Sequence, residues 1–544
     1  MKEFDLIVVG SGAGLLVLEA GLQAGRTCAL VESGPIGGTC LNRGCIPSKI
    51  LTTPADLLRE VQAARRIGLS APDASIDWDL VSERMWAKIE KNAEMEESLR
   101  ALPGLTLYRG TAEFTGVHRM RVRPADPGGP EEEITGAQIV LATGARSFVP
   151  PIPGLEEAGY VTTETFFGPR YPARPWPTLA VIGGGIIAAE FAHVFSAVGT
   201  KVSIIEMLPR LLATEEPEVA ALVETEFRKS ADIFLNKRAV AVHSADGRKT
   251  VVFEDVTTQE IGEIVADEVL VAVGRRSNSD GLKTEAGGIK TDRRGWIEVD
   301  DYLETSQPGV WAIGDALGGL QFRHKANADA ETLVKNLFGP AEARRPVDNS
   351  VVPWAVFTHP QIGHVGMTES EAMAKGHEIL VAVNHYSAIA KGYAMGYVPG
   401  APDDGFVKVI VDKNGKILGA HVVGPEAALL VQPFVYLMNA GYVCPPLARD
   451  SNARASAAEV DSRAKPGALA PDSNAWASTA EKNPQPMPGA PSAAPAAAAV
   501  FDKEQTACPE AGTYFPIDRS MIIHPSLNEL TGWAFSMLKP VKDD

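Results

Sequence analysis

The stretch Leu6-Ile7-Val8-Val9-Gly10-Ser11-Gly12-Ala13-Gly14 decides the fold of this 544-residue chain. Its first four residues form a continuous apolar run, as in a buried parallel strand, and a helical pattern follows to about residue 24. The first glycine permits a tight turn, and the second lets the backbone approach a pyrophosphate. The helix N-terminus faces the phosphate charge. The stretch therefore predicts a dinucleotide-binding βαβ unit.

A carboxylate and a missing glycine complete this first unit. The apolar run from Cys28 to Val31 ends in Glu32, 22 residues after Gly10, where a carboxylate can accept hydrogen bonds from a ribose. The third glycine of the fingerprint would be residue 15, which is leucine. Two explanations are open: the helix sits farther from its strand, or Gly14 takes part of that role.

The same layout recurs in Leu179-Ala180-Val181-Ile182-Gly183-Gly184-Gly185-Ile186-Ile187-Ala188, where alanine replaces the third glycine. After the helix, an apolar run from Lys201 ends in Glu206, 23 residues beyond Gly183. Two such units predict two nucleotide sites. Because a carboxylate accepts two ribose hydroxyls but repels a 2′-phosphate, Glu206 favours NAD over NADP, although Arg210 lies nearby.

The composition narrows the class of protein. The length fits three or four domains, and the net charge of −17 argues against a nucleic-acid or anionic-membrane partner. No apolar run is long enough to span a membrane, and Leu6 to Val9 predicts a strand at the N-terminus, not a signal peptide. Five cysteines do not form a disulfide scaffold in so long a chain. We therefore expect a cytoplasmic protein, in which a reactive cysteine pair is catalytic more often than structural.

Two of these cysteines lie in Gly37-Gly38-Thr39-Cys40-Leu41-Asn42-Arg43-Gly44-Cys45-Ile46-Pro47-Ser48-Lys49. In an ideal helix, residues five apart have Cα atoms roughly 8–9 Å from each other, whereas a disulfide needs less than about 7 Å. If Cys40 and Cys45 pair, Cys40 must therefore lie off the regular helix. A thiolate near a helix N-terminus is stabilised, which suits reversible exchange. Two unrelated structural thiols remain the alternative.

This cysteine segment resembles the redox-active site of the flavin-dependent pyridine nucleotide–disulfide oxidoreductases, and within that family the dihydrolipoamide dehydrogenases. The resemblance implies an α/β fold with two Rossmann-like dinucleotide-binding domains and a C-terminal α+β dimerisation domain. It implies FAD and NAD as cofactors, and no metal site is predicted.

The resemblance also divides the chain. It predicts the first part of the FAD-binding domain at residues 1–149 and the NAD-binding domain at 150–276. The second part of the FAD and central region follows at 277–347, and the dimerisation domain at 348–544. Within the last domain, an Ala/Pro-rich insertion at about 445–512 cannot bury much apolar surface. A docking role and inert decoration are both open for it. Cys444 and Cys508 flank the insertion, and a bond between them is not expected.

The resemblance assigns catalytic roles to Cys40, Cys45, Lys49, Glu190, His524 and Glu529. Cys40 is the exchange thiol, Cys45 lies next to the flavin, and Lys49 lies beside the flavin N5 and pairs with Glu190. A histidine held by a carboxylate suits proton transfer near neutral pH. In the family, the His–Glu pair reaches the disulfide of the opposite subunit, which implies a homodimer.

The cofactor sites follow from the same matches. The residues expected to bind FAD are Gly10, Gly12, Gly14, Glu32, Thr39, Lys49, Thr143, Gly144, Gly314 and Asp315. Those expected to bind NAD are Gly183, Gly185, Glu190, Glu206 and Gly274. The helix that begins near Phe322 is expected to aim its N-terminus at the flavin.

The predicted function is dithiol/disulfide oxidoreduction, specifically oxidation of dihydrolipoyl groups with NAD through FAD and the Cys40–Cys45 pair. The substrate is then a lipoyl-bearing protein or a small dithiol. One alternative is an NAD(P)H-dependent reductase of another low-molecular-weight disulfide. A second alternative is a non-catalytic flavoprotein or scaffold subunit of a lipoyl complex. The physiological substrate and direction are not readable from the sequence.

Overall fold

The structure, a computed structural model, describes residues 1–440 and 520–524. His524 falls within the second range. The predicted Glu529, the insertion at 445–512, Cys444 and Cys508 lie outside the described residues.

Strands and helices alternate around each of the two fingerprint turns, and each of these units is followed by a run of strands with no α-helix between them. The strands are β1 (Lys2–Val9), β2 (Cys28–Glu32), β3 (Leu105–Gly116), β4 (Arg119–Pro124), β5 (Glu132–Leu141), β6 (Ala145–Ser147), β7 (Thr178–Ile182), β8 (Lys201–Ile205), β9 (Ala231–Phe234), β10 (Lys237–Ala245), β11 (Arg248–Asp255), β12 (Ile261–Ala266), β13 (Glu268–Val271), β14 (Arg275–Ser277), β15 (Val310–Ala312), β16 (Pro353–Val356), β17 (Gln361–Gly366), β18 (Ile379–His385), β19 (Phe406–Asp412) and β20 (Ile417–Gly424).

The helices pack on the faces of the parallel sheets or beside the C-terminal sheet. They are α1 (Gly14–Gln23), α2 (Gly38–Arg43), α3 (Cys45–Ala63), α4 (Trp78–Glu90), α5 (Asn92–Arg100), α6 (Leu155–Ala158), α7 (Thr163–Phe166), α8 (Ile186–Ala197), α9 (Pro217–Phe227), α10 (Arg323–Phe338), α11 (Glu369–Ala374), α12 (Ala390–Ala394), α13 (Ala427–Leu430) and α14 (Gln432–Asn439). Short 3₁₀ turns lie at Ala64–Ile67, Ser279–Leu282, Thr284–Gly287, Gly314–Leu317, Ala341–Ala343 and Tyr386–Ala388.

The first sheet has a parallel part in the order β15–β5–β1–β2–β3. Strand β4 runs antiparallel to the distal parts of β3 and β5. The residues Leu6 to Val8 are fully buried, because both faces of the sheet are covered. The fingerprint turn after β1 and the turn before α10 thus meet at the carboxyl edge of one sheet, where nucleotides bind in such folds.

The second sheet is parallel, in the order β13–β7–β8–β9. A three-stranded antiparallel sheet of β10, β11 and β12 accompanies it, and β6 pairs with β14 to join the two halves. The helix α8 packs its apolar residues into a core that also receives Leu51 and Ala55 of α3. This shared core brings the cysteine-bearing helix against the second nucleotide unit.

The C-terminal sheet is antiparallel, in the order β16–β17–β20–β19–β18. The dipeptide Asn414-Gly415, whose sequence favours a tight hairpin turn, joins β19 to β20. The segment from Glu426 to Ala440 has a helical pattern but is interrupted, and α13 ends before α14 begins at Gln432. Proline at 433 explains the interruption, because it has no N–H to continue the helical ladder.

The described residues include no helix that is both long enough and apolar enough to cross a membrane.

Candidate active site

A cleft of about 570 Å³ opens at the carboxyl edge of the first sheet. Residues from several separate parts of the chain line it, and most of the predicted flavin-site residues are among them. They include Gly10, Gly12, Glu32, Thr39, Cys40, Cys45, Thr143, Gly144, Gly314 and Asp315. The N-terminal residue of α10, Arg323, also lines the cleft, as the predicted direction of that helix requires.

The fingerprint turn fits a dinucleotide. A Cβ on Gly10, whose φ is +103°, would overlap the carbonyl oxygen of Ala142. A Cβ on Gly14 would lie 2.8 Å from Val8 Cγ1. Gly14 thus provides the close helix–strand contact that the missing third glycine would give, which answers the question that Leu15 raised. Beside Gly12 there is open space, with no atom within 4 Å of a built Cβ, so the backbone can approach a phosphate there.

Glu32 is held in place at the end of β2. Its Oε2 accepts hydrogen bonds from the backbone N of Ser11 at 2.8 Å and from Ser11 Oγ at 2.6 Å. Its Oε1 accepts from the backbone N of Gly34 at 2.7 Å. The contribution of Ser11 was not predicted, although this residue lies inside the fingerprint stretch. The carboxylate is therefore fixed toward the turn before a ribose arrives.

Other cleft residues offer polar atoms to a ligand. Thr143 Oγ1 is buried and has no hydrogen-bond partner among the described residues. Asp315 pairs with Arg275, which also donates to the carbonyl of Ala145 at 2.7 Å. A buried hydroxyl without a partner and a carboxylate at the cleft wall fit the polar chain and ribose of FAD. Arg275 was not singled out from the sequence, although it directly follows Gly274.

The two cysteines lie on different helices. Cys40 belongs to α2, Cys45 begins α3, and Gly44 between them adopts φ −146° and ψ −119°, which ends the helical path. Their Sγ atoms lie within 4.8 Å of each other. Cys40 therefore lies off the helix of Cys45, which is the condition that pairing of the two cysteines requires.

Cys45 has the electrostatics of a reactive thiol. A hydrogen bond from Cys40 lowers the pKa of Cys45 to about 6, with further contributions from the charges of His524, Lys49 and Arg323. Burial opposes this shift, but the favourable contacts outweigh it. The thiolate is therefore the stable form of Cys45 at neutral pH.

His524 lies beside the other cysteine, with Nε2 at 3.3 Å from Cys40 Sγ. Its segment is anchored by Gln432, whose Oε1 accepts from the backbone N of Ile523 at 3.4 Å and whose Nε2 donates to the carbonyl of Met521 at 3.2 Å.

The structure shows the contact between Cys40 and His524 within one chain, whereas the resemblance predicted a contact with the opposite subunit. The chain length permits both, because residues 441–519 could span about 260 Å when fully extended.

Lys49 and Glu190 form the predicted pair. Lys49 Nζ lies 2.8 Å from Glu190 Oε2, and the other carboxylate oxygen accepts from the backbone N of Phe357 at 3.1 Å. The ammonium also lies 4.2 Å from the centre of the Phe357 ring. Phe357 follows β16 in the C-terminal part of the chain, so the two fingerprint motifs did not predict its contact with Lys49. Three parts of the chain thus converge on one ion pair.

The second fingerprint turn repeats the geometry of the first. A Cβ on Gly183, with φ +113°, would overlap the carbonyl oxygen of Ala272, and Gly185 again has open space. Glu206 is buried at the end of β8 and accepts from the backbone N of Leu208 at 2.8 Å. Gly274 lies in the turn between β13 and β14, where its carbonyl accepts from Phe148 N. The second turn thus presents the same backbone arrangement as the first, with an acid at the end of the following strand.

Comparisons with known proteins agree with this geometry. Residues 4–330 match the family model described as pyridine nucleotide-disulphide oxidoreductase, and residues 352–460 match the dimerisation domain of the same family.

Individual relatives cover most of the chain. The mycothione reductase of Mycobacterium tuberculosis is 33% identical over 459 residues, which is 82% of this chain and 95% of the relative. The dihydrolipoyl dehydrogenase of Chlorobaculum parvum is 34% identical over 440 residues, 79% of this chain and 89% of the relative. A solved Cu(II) complex of the HOCl-induced flavoprotein disulfide reductase RclA from Escherichia coli has a TM-score of 0.69 at 28% identity. The match covers 83% of this chain and 98% of that one.

Proposed function

Because the chain belongs to the pyridine nucleotide-disulphide oxidoreductase family, whose members use FAD and NAD(P)H, we propose that it oxidises dihydrolipoyl groups with NAD. One observation carries the thiol chemistry: a proton acceptor, His524, lies 3.3 Å from a thiol whose neighbour, Cys45, has its pKa lowered to about 6. A base beside one sulfur and a stabilised thiolate at the other are the requirements of thiol–disulfide exchange.

The protein residues divide the work as follows. His524 Nε2 takes a proton from the substrate thiol, and the substrate thiolate attacks Cys40 Sγ of the oxidised pair. The bond between Cys40 and Cys45 breaks, and Cys45 leaves as the thiolate that its surroundings stabilise. His524 then releases this first proton to water, and its imidazole takes the proton of the second substrate thiol. The second substrate thiolate displaces Cys40 and closes the substrate disulfide, and Cys40 leaves as a thiolate that accepts the proton held by His524. Glu529 is proposed to orient His524.

The remaining residues place the two cofactors around the pair. The chemistry that FAD supplies when bound is transfer of two electrons between the Cys45 thiolate and the nicotinamide. Lys49 and Glu190 are proposed to lie between the flavin and the nicotinamide. The residues proposed to hold FAD are Gly10, Gly12, Glu32, Thr143, Gly144, Gly314 and Asp315. The residues proposed to hold NAD are Gly183, Gly185 and Glu206. The dimerisation-domain match supports a homodimer. A reducing compartment such as the cytoplasm suits a cysteine pair that is catalytic and not structural.

The choice of NAD rests on Glu206. Its carboxylate terminates β8 and is buried, where a 2′-phosphate would be repelled. The choice of a dihydrolipoyl substrate rests on the Cys40 to Lys49 segment and on the relative from Chlorobaculum parvum.

A second candidate substrate is another low-molecular-weight disulfide, reduced in the opposite direction. The 33% identity to a mycothione reductase over 95% of that protein supports it as well as the dihydrolipoyl dehydrogenase relatives support the first. Both candidates use the same cysteines and base. They differ in the molecule that enters beside Cys40 and in the direction of net flux.

Steady-state kinetics separate the two candidates. We expect kcat/KM for dihydrolipoamide with NAD to exceed that for glutathione or mycothiol disulfide with NADH or NADPH by at least 100-fold. Efficient turnover of a non-lipoyl disulfide together with negligible lipoamide activity would reject the first candidate in favour of the second.

A cysteine variant tests the catalytic reading itself. Cys45→Ser should lose disulfide turnover by at least 1,000-fold and retain a yellow, FAD-loaded protein. Cys28→Ser is the matched control, because Cys28 is buried on β2 away from the pair, and it should keep near-normal turnover. If the C45S protein keeps its biological role despite losing turnover, a non-catalytic scaffold role replaces the proposal.

A further inference from the structure

A second cluster of titratable groups lies between the second nucleotide unit and the C-terminal sheet. It consists of Glu215, which precedes α9, His364 on β17 and His421 on β20, with 0%, 1% and 0% of each side chain exposed. His364 and His421 are opposite each other in the register of β17 and β20. None of the three takes part in the chemistry proposed above.

Three acceptor atoms of this cluster converge. Glu215 Oε2 lies 2.9 Å from His364 Nδ1, and His421 Nδ1 lies 3.2 Å from the same nitrogen. The third distance is also within 4.8 Å. Two donor atoms bound to one ion at about 2.0–2.1 Å lie roughly 3.0–3.4 Å apart. Two of the three spacings are therefore those of ligands around a single cation, and the third group lies close enough to join them.

The outer nitrogens of the two rings fix the tautomers. His364 Nε2 lies 3.1 Å from the carbonyl of Gly366, and His421 Nε2 lies 3.1 Å from the carbonyl of Met367. A carbonyl oxygen can only accept, so both Nε2 atoms carry the proton. In the neutral rings, both Nδ1 atoms then present lone pairs to each other and to the carboxylate. Metal-binding histidines show this same arrangement, with the distal N–H donated to a backbone carbonyl.

The carboxylate and one ring are also oriented from outside. Trp354 Nε1 donates to Glu215 Oε1 at 2.7 Å, which leaves Oε2 for the shared space. The Trp354 ring stacks on His364 with 3.5 Å between ring centres. These contacts hold two of the three groups in the geometry that a cation requires.

The charge of the cluster calls for a cation. Among residues 1–440 and 520–524, no lysine or arginine lies within ion-pair distance of Glu215. The nearby Lys408 is already shared by the carboxylates of Glu216, Glu218 and Glu369, at 2.8–3.2 Å. A buried carboxylate without a counter-charge is costly, and a bound cation removes that cost.

We propose that Glu215, His364 and His421 bind one divalent transition-metal ion, which joins the second nucleotide unit to the dimerisation domain. Two imidazoles and one carboxylate suit zinc and its neighbours in the first transition row. The sequence analysis predicted no metal site, because the three residues are far apart in the chain and form no spacing motif. The alternative occupant is a single proton that makes His364 an imidazolium.

Metal analysis of the wild-type holoenzyme is the first test. The protein is produced in zinc-supplemented medium, and its thiols are alkylated, since Cys40, Cys45 and His524 form another donor group. We expect about one zinc per FAD after gel filtration, retained during dialysis against EDTA because the ligands are buried. Less than 0.1 zinc, cobalt, nickel or copper per FAD would overturn the proposal and leave the proton as occupant.

Variants locate the metal. Glu215→Gln and His364→Gln should each lower the zinc-to-FAD ratio at least tenfold. His193→Gln is the matched control, because His193 is 3% exposed and contacts Asp56 at 2.8 Å outside the cluster, and it should keep the full ratio. An unchanged ratio in the E215Q and H364Q proteins would overturn the assignment.

If those variants do not fold, the thermal stability of the wild-type protein still tests the proposed metal site. Protein from zinc-depleted cultures should melt at least 5 °C below protein from zinc-supplemented cultures, both with alkylated thiols. Equal melting temperatures at a full difference in zinc content would refute a metal that joins the two domains.

Discussion

The two fingerprint turns differ less in backbone than in what surrounds their acids. In both turns the first glycine has a positive φ and presses against a carbonyl, of Ala142 in one case and Ala272 in the other. In the first turn, Ser11 and Gly34 supply three hydrogen bonds to Glu32. In the second, Glu206 accepts one, from Leu208 N. One acid is fixed in advance, and the other is left more open to its ligand.

The residue after the first glycine produces this difference. Serine at 11 reaches the acid, whereas glycine at 184 has no side chain, and a Cβ there would lie 2.9 Å from Glu206 Oε2. A cofactor that stays bound profits from a rigid site, while one that must leave in each cycle does not, since preorganisation raises affinity. The same motif can thus serve permanent and exchangeable nucleotides.

The largest effect should come from alanine at the first glycines. Gly10→Ala places a Cβ against the Ala142 carbonyl at a φ that favours glycine, a cost of about 3 kcal/mol or more. We expect the flavin-to-protein ratio to fall below a tenth of normal. Gly183→Ala should instead keep FAD and lose NADH binding, measured by fluorescence titration.

Gly25→Ala is the control for these two variants, because Gly25 has φ +71° but no atom within 4 Å of a built Cβ, and it should retain both cofactors. A colourless Gly183→Ala protein would show that the two turns do not act separately.

The pH dependence of cysteine alkylation should test the electrostatics around the Cys40–Cys45 pair. The pKa of Cys45 is lowered from 9.0 to about 6, so its thiolate dominates above pH 6 and is lost as the pH falls below it. In the reduced protein, iodoacetamide should modify Cys45 at a rate that is flat near pH 8 and falls about tenfold per unit below pH 6. Residue-specific mass spectrometry measures the rate.

Lys49→Met removes one of the charges that stabilise the thiolate and should move this profile to higher pH. A profile centred near pH 9 in the wild type would contradict the proposed electrostatics.

Neutralising the two acids compares the sites directly. Glu206→Gln should raise KM for NADH about tenfold and narrow the preference over NADPH, because charge-assisted hydrogen bonds to the ribose are lost. Glu32→Gln should lower FAD affinity and leave KM for NADH unchanged. Glu224→Gln serves as the control, because the partly buried Glu224 pairs with Arg228 of the same segment at 2.8 Å and contacts neither turn. Equal effects of E32Q and E206Q on KM for NADH would show that the two acids do not serve separate nucleotide sites.

The smallest effect should come from Ser11→Ala. The variant loses the hydroxyl contact to Glu32 but keeps the backbone one, so we expect about 1 kcal/mol, or roughly a fivefold weaker FAD affinity. The reciprocal Gly184→Ser should not strengthen NAD binding, because its Cβ would crowd Leu211 at 2.7 Å. Tighter NAD binding in that variant would mean that rigidity of the acid is not what separates the sites.

The sequence predicted what depends on neighbouring residues. Both βαβ units, the hairpin at Asn414-Gly415 and the break between Cys40 and Cys45 follow from local turn and strand patterns. The pairing of Lys49 with Glu190 followed only from family resemblance, since 141 residues separate the two.

Contacts that depend on the packing of separate domains were not predicted. Phe357 meets Lys49 from the third domain, and Arg275 reaches Asp315 across the cleft. The cluster around His364 forms only when β17 and β20 align against the segment before α9. The residues in each of these contacts are far apart in the chain, so no sequence motif predicts that they come together.

The two oxygens of Glu190 give the molecule a mechanical property. One holds Lys49 of the cysteine-bearing helix, and the other holds the backbone of Phe357, while Glu190 itself sits in the second nucleotide unit. A rigid-body swing of that unit would have to break both contacts together. The two contacts thereby resist hinge motion at the point where the cysteine-bearing helix, the second nucleotide unit and the segment after β16 meet.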